Sequence, residues 1–284
     1  MDKLVLNSPA KINIGLNVVR KRDDGFHDLE TIFYPLILSD TLSFEKSDVT
    51  NFVSNSEEIS NLNDNLILNA KRLLEDHCKK ELPVNIFMDK NIPIGAGLGG
   101  GSSNAATTLK AINKIYSLNI SYSELASMAL ELGSDVPFFL KPVPSYATSR
   151  GEVLEEISLS LSQPFLIVNP SIHISTKWAF DRIDVSGREN NLKRLATLKN
   201  ISIDDISRFA NNDFEEIVFE EYPQIKDIKE KLLSLGAEYS SMTGTGSTVY
   251  GIFSNLQNAR NAEVFFKAEN FTYLNYPVNK GSIT

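Results

Sequence analysis

The segment PIGAGLGGGSSNAA, residues 93–106, sets five glycines and two serines between a strand-like run and a helix-like run. Upstream, Val84, Ile86 and Met88 alternate as a strand does; downstream, Ala105, Leu109, Ile112 and Tyr116 recur at helical spacing. Glycine tolerates positive φ and lets backbone amides approach a ligand closely. A helix beginning near Ser102 aims unpaired N–H groups and its positive dipole end into the loop. The segment predicts an anion cradle, and a polyphosphate nucleotide is its natural occupant.

Three other readings of these residues fail. Gly95, Gly97 and Gly100 satisfy the dinucleotide fingerprint G-x-G-x-x-G, but that fingerprint needs a βαβ unit whose second strand ends in an acidic residue about 20 positions on. Here the next element is a second helix, and Glu124 falls in its first turn. A P-loop needs Gly-Lys-Ser/Thr, which does not follow. A flexible linker does not abut structure on both sides, whereas Pro93 and an amphipathic helix flank this run.

Around the loop the chain opens β-rich. Residues 3–20 alternate, with Ile12, Ile14, Leu16 and Val18 on one face and Lys11, Asn13, Gly15 and Asn17 on a polar face suited to lining a site. Arg22-Asp23-Asp24-Gly25 is a turn; Leu29–Leu38 and Thr41–Phe44 read as two strands separated by a Ser39-Asp40 turn. A helix is expected from Asp64 to about Lys80, and another from the capping box Ser121-x-x-Glu124 to Gly133, with Ser134-Asp135-Val136-Pro137 immediately after. Beyond a Pro- and Ser-containing stretch at 142–164 come a strand (Phe165–Val168), a helix (Thr176–Ile183) and short helices to Glu221. A helix at Tyr222–Leu235, strands at 238–242 and 248–253 flanking Thr243-Gly-Thr-Gly-Ser247, and a final helix and strand complete the split βαβ plan of a ferredoxin-like domain.

Composition narrows the function. With 42% hydrophobic residues over 284 positions the chain can bury a large core, in one big domain or, preferably, two. A net charge of −8, from 28 basic against 36 acidic residues, argues against nucleic-acid or anionic-membrane partners. Cys78 is the single cysteine, which excludes an internal disulfide and multi-thiolate zinc, and His77 and His173 add no ligand cluster. No signal-peptide h-region and no membrane-length apolar run is present, so a soluble cytoplasmic protein is expected. There is no G-x-S-x-G nucleophile elbow. Taken alone, Lys11 is a surface lysine, Asp135 a turn residue, His27 a surface or ligand-reading histidine, and Gly244–Ser247 a hairpin turn.

Taken together and in order, PAKINIGLNV, PIGAGLGGGSSNAA, LGSDVPFFL and SMTGTGSTVYGIF resemble the GHMP kinase superfamily over nearly the whole chain. KRDDGFH and GLGGGSSNAA are similar to the branch that phosphorylates the 2-hydroxyl of cytidine-diphosphate methylerythritol on the non-mevalonate route to isoprenoids. The resemblance implies a two-domain α+β fold. A β-rich α/β domain (1–158) would carry a left-handed βαβ-type nucleotide loop, and a ferredoxin-like α/β domain (159–284) would follow, with the active site in the cleft between them. It implies ATP and Mg²⁺, the metal ligands being unassigned. ATP would lie on Pro93, Ile94, Gly95, Ala96, Gly97, Leu98, Gly99, Gly100, Gly101, Ser102 and Ser103, with Lys11 and Asp135 as the catalytic pair. Phe26 and Phe180 would sandwich the cytosine, His27 would hydrogen-bond its edge, and Asn13 and Thr176 would contact substrate. Two residues depart from the pattern: Phe26 stands where the family usually has tyrosine, and Ser149 where it commonly has glycine. The rival readings are a superfamily kinase acting on mevalonate or homoserine, and a nucleotide-binding regulator without catalysis.

Overall fold

The structure, a computed structural model, describes residues 3–60, 65–185 and 191–275. Its contacts group residues 1–11, 35–94 and 99–142 into one compact unit and residues 12–34, 95–98 and 143–284 into another. The long strands β1 (Lys3–Lys21) and β2 (His27–Lys46) give residues to both.

In the first unit β2 is followed by β3 (Asn51–Ser54), α1 (Glu57–Ser60), α2 (Leu66–Cys78) and β4 (Val84–Asp89). β4 pairs antiparallel with β2, from Thr41 opposite Asp89 to Lys46 opposite Val84, and parallel with β3. The glycine segment then leads into α3 (Gly100–Ile115), α4 (Tyr122–Leu132) and α5 (Val136–Leu140). Ala105, Leu109 and Ile112 are fully buried along α3, which packs on α2, α4 and α5. The expected capping box is formed: the Glu124 amide donates to Ser121 Oγ, and the Ser121 amide to Glu124 Oε2. α2 starts at Leu66 with Asn65 as its N-cap, and the expected start at Asp64 lies outside the described residues.

Two expectations are corrected here. Helix α3 begins at Gly100, two positions before Ser102, because Gly99 in the left-handed region (φ 70°) already turns the chain into it. Ser39-Asp40 is not a turn: β2 runs straight through, and Asp40 is fully buried. Its carboxylate accepts enough hydrogen bonds, set out below, to replace the solvation a turn would have given it.

The second unit holds β5 (Ser145–Thr148) and β6 (Val153–Glu156), a hairpin inside the Pro- and Ser-containing stretch for which no element was expected; β5 pairs with β2 at Thr31–Phe33. Then come β7 (Phe165–Asn169), α6 (Thr176–Arg182), α7 (Leu192–Ala196), α8 (Ile203–Phe209), α9 (Glu215–Glu221), α10 (Pro223–Ser234), β8 (Ala237–Met242), β9 (Val249–Phe253), α11 (Leu256–Phe266) and β10 (Phe271–Asn275). The four strands order β10-β7-β9-β8, all antiparallel, which is the sheet order of the split βαβ plan. β7 and β9 are buried at every position, as central strands covered by α10 and α11 must be.

Candidate active site

In the first unit, strand β1 delivers Lys11 inward and the start of α5 delivers Asp135, so that Lys11 Nζ and Asp135 Oδ2 stand 3.6 Å apart. The lysine side chain is 4% exposed and the aspartate 35%, so the cation is sequestered while the carboxylate still meets solvent. Burial pushes the Lys11 ammonium below the usual lysine range, and the charge of Asp135 offsets part of that shift. Gly99 closes on the pair: a Cβ there would lie 3.1 Å from Lys11 Cγ and 2.8 Å from the Phe139 ring. The lysine stem therefore runs directly beneath Gly99, where the glycine segment enters α3.

Helix α3 has no side-chain cap at Gly99, which leaves its first-turn amides for an anion. Of the two serines, Ser103 is fully buried and accepts a hydrogen bond from Ser8 Oγ at 2.8 Å, whereas Ser102 is half-buried. The loop is braced from below by Asp40. Its carboxylate accepts from the amides of Asn91 (2.7 Å) and Ile92 (2.8 Å), from Asn104 Nδ2 (3.0 Å) and from Lys90 Nζ (2.9 Å). Lys90 also donates to the Ile92 carbonyl, and burial lowers its pKa against the raising effect of Asp40. One carboxylate thus ties the chain entering the loop to the helix leaving it.

In the second unit, Gly95, Gly97, Gly244 and Gly246 all have positive φ, and the two glycine loops touch. A Cβ on Gly97 would lie 2.3 Å from the Thr243 carbonyl oxygen, and one on Gly244 would lie 3.2 Å from Gly97 Cα. Residues 243–247 are therefore more than a hairpin turn. Thr243 Oγ1 accepts from the Asn13 amide (2.9 Å) and bonds Asn13 Oδ1 (3.1 Å), while Asn212 Nδ2 holds the Met242 and Gly244 carbonyls. Asn13 also donates from Nδ2 to Thr31 Oγ1 at 2.9 Å. Lys11 and Asn13, alternate residues of β1, are both buried; the polar strand face is an internal one.

The aromatic residues of the same unit divide into two groups. His27 stacks on Phe180, ring centroids 5.0 Å apart, and Phe180 meets Phe214 edge-on at 4.8 Å. Desolvation and the charge of Lys21 hold His27 below the usual histidine range against the raising effect of Asp181, which favours the neutral ring with its one donor and one acceptor. Phe26 is 50% exposed, with the Arg150 guanidinium 4.5 Å above its ring. Thr176 Oγ1 lies 3.4 Å from Thr245 Oγ1. Ser149 keeps a glycine-like backbone, φ 61°, and puts its hydroxyl to use between Arg22 and Glu152.

Asp40, Thr243 and Arg150 are not among the site residues expected from the sequence. Asp40 left a signal: Leu36, Leu38, Asp40, Leu42 and Phe44 share one strand face, and all five are buried.

Comparison with known proteins fits this geometry. Residues 65–141 match the GHMP kinases N terminal domain and residues 191–271 the GHMP kinases C terminal family. A 4-diphosphocytidyl-2-C-methyl-D-erythritol kinase of Chlorobium phaeobacteroides strain BS1 is 38% identical, covering 94% of this chain and 95% of its own. One of Azobacteroides pseudotrichonymphae is 41% identical over 86% of this chain and 91% of its own. A crystal structure of a 4-(cytidine 5'-diphospho)-2C-methyl-D-erythritol kinase superposes with TM-score 0.80 at 28% identity, covering 96% and 98% of the two chains. A homoserine kinase from Cytophaga hutchinsonii shares the fold, TM-score 0.74, at 17% identity.

Proposed function

The chain belongs to the GHMP kinase family, and on that premise we propose that it transfers the γ-phosphoryl of ATP to the 2-hydroxyl of 4-diphosphocytidyl-2-C-methyl-D-erythritol. The observation that carries the chemistry is the buried Lys11 paired with Asp135 and lying beneath Gly99. Phosphoryl transfer passes through a loose transition state, so positioning and charge stabilisation supply most of the catalysis. Asp135, still reached by solvent, accepts the proton of the attacking hydroxyl. Lys11 orients the hydroxyl and offsets charge on the transferred group. Asn13 helps orient the acceptor. The amides of residues 95–103 and the Ser102 hydroxyl hold the phosphates; Ser103, bonded to Ser8, holds the loop instead. Phe26 and Phe180 stack the cytosine, His27 reads its edge, and Thr176, beside Thr245, completes the substrate-binding set.

The residues present fit Mg²⁺ held chiefly by nucleotide phosphates. Among the described residues no three His, Cys, Asp or Glu side chains are grouped to hold a metal, and the half-buried Ser102 is the loop hydroxyl we would assign to such a set. Such an ion would supply positive charge to offset that of the phosphates. We also assign the N-terminal domain to residues 1–158 and the C-terminal domain to 159–284.

The acceptor is supported by relatives 36–41% identical over nearly the full chain, such as that of Thermoanaerobacter pseudethanolicus at 36%, and by the His27–Phe180 stack. Incubation with γ-labelled ATP and, separately, the cytidine substrate, mevalonate and homoserine tests it. Label is expected in the cytidine compound alone; transfer only to mevalonate or homoserine overturns the assignment.

A further inference from the structure

Resting on the reading of Phe26 as a base-stacking residue, we propose that Arg150 is a positioning residue that raises affinity for the cytidine substrate by holding the Phe26 ring as a preformed platform. Phenylalanine at an exposed loop tip has no hydroxyl to anchor it, and its ring would sample several rotamers. Here the Arg150 guanidinium covers one face at 4.5 Å, and the residue stays half exposed for a base.

Arg150 is itself held. Its amide donates to Glu152 Oε2 at 2.7 Å, its Nε lies 3.9 Å from Glu152 Oε1, and its side chain is only 23% exposed. Glu152 in turn accepts from Ser149 Oγ at 2.9 Å, and Ser149 Oγ accepts from Arg22 Nη1 at 3.1 Å. Arg22 closes the circuit, because its amide donates to the Phe26 carbonyl at 2.8 Å while Asp24 Oδ1 accepts the Phe26 amide at 3.1 Å. The Leu29 amide to Ser149 carbonyl bond, 2.7 Å, joins the two loops at a second point. The 149–152 turn therefore touches Phe26 from above through a cation and from behind through Arg22. A platform fixed in advance stacks a base without first losing its own rotamer freedom, so its effect falls on substrate affinity.

Steady-state kinetics of the full chain at saturating ATP, with the cytidine substrate varied, tests this using Arg150→Ala, Phe26→Leu and the double variant. Arg150→Ala is expected to raise KM for the cytidine substrate about 3- to 10-fold with kcat held within about twofold and KM for ATP unchanged. The double variant is expected to be no worse than Phe26→Leu alone, since the cation acts through that ring. Should Arg150→Ala fail to fold, Arg150→Lys keeps the charge but loses the planar stack and the Nε contact to Glu152, and a smaller rise in KM, at least about twofold, is expected. An unchanged KM in whichever of these variants folds, or full multiplication of the two single effects, overturns the proposal alone. A parent protein that does not turn over the cytidine substrate overturns the acceptor assignment and this proposal with it.

Discussion

Among the described glycines, Gly97 is where the fold leaves least room for a side chain. It sits at φ 74°, and an added Cβ would come within 2.3 Å of the Thr243 carbonyl oxygen and 3.0 Å of the Gly246 carbonyl oxygen. Both obstacles are backbone, so no rotamer change relieves them. A left-handed residue with a side chain costs about 1–2 kcal/mol, and forcing a methyl into a filled site adds roughly 1–3 kcal/mol. Gly97→Ala is therefore expected to cost about 2–5 kcal/mol, a lowering of Tm by roughly 5–15 °C for a chain of this size. Gly101→Ala is the comparison: it is helical, and its Cβ would meet nothing closer than Leu66 at 3.5 Å. There alanine is worth about 0.5–1 kcal/mol in favour of the helix. Thermal unfolding followed by circular dichroism, run on both variants beside the parent, measures the contrast. Equal melting temperatures for the two variants would refute the claim that the two glycine loops are interlocked through backbone.

Two other expectations follow from buried charges. Asp40→Asn leaves the Lys90 ammonium buried without its carboxylate and is expected to destabilise by about 3–5 kcal/mol, read by urea unfolding; a loss under about 1 kcal/mol would show that Asp40 does not brace the loop. Because burial lowers the Lys11 pKa, the charged form needed for transfer is lost as pH rises through a value below 10.5, and the basic limb of kcat/KM is expected earlier than an ordinary lysine would give. The stability effect has the opposite sign. The cost of the buried charge is fully present below the folded-state pKa, and stability is regained as pH climbs from there toward 10.5. A basic limb at or above the ordinary lysine range would contradict the desolvated environment of Lys11.

Much of this was legible in the sequence because the signals were local. The Ser121–Glu124 capping box and the C-terminal strand and helix order each show themselves within a few residues and appear where expected, and the glycine segment lies between strand β4 and helix α3 as its flanks foretold. Lys11 and Asp135 needed the resemblance to bring them together; 124 positions separate them in the chain, and neither has a local pattern that betrays the other. Asp40 was misread because Ser-Asp is good turn chemistry, and tertiary hydrogen bonds to Asn91, Ile92 and Asn104 overrode it. The β5–β6 hairpin was lost for a related reason: its strands have four residues each, too few for alternation to register. Arg150 left no trace, since a cation over a ring depends on two loops meeting that sequence spacing does not relate.

The central claim is that Asp135, paired with Lys11, takes the proton of the acceptor hydroxyl, and Asp135→Asn tests it with almost no change of shape. Steady-state assay of that variant with ATP and the cytidine substrate is expected to show kcat lowered about 10²–10⁴-fold, with both KM values within a few-fold of the parent. Turnover within a few-fold of the parent would contradict the account.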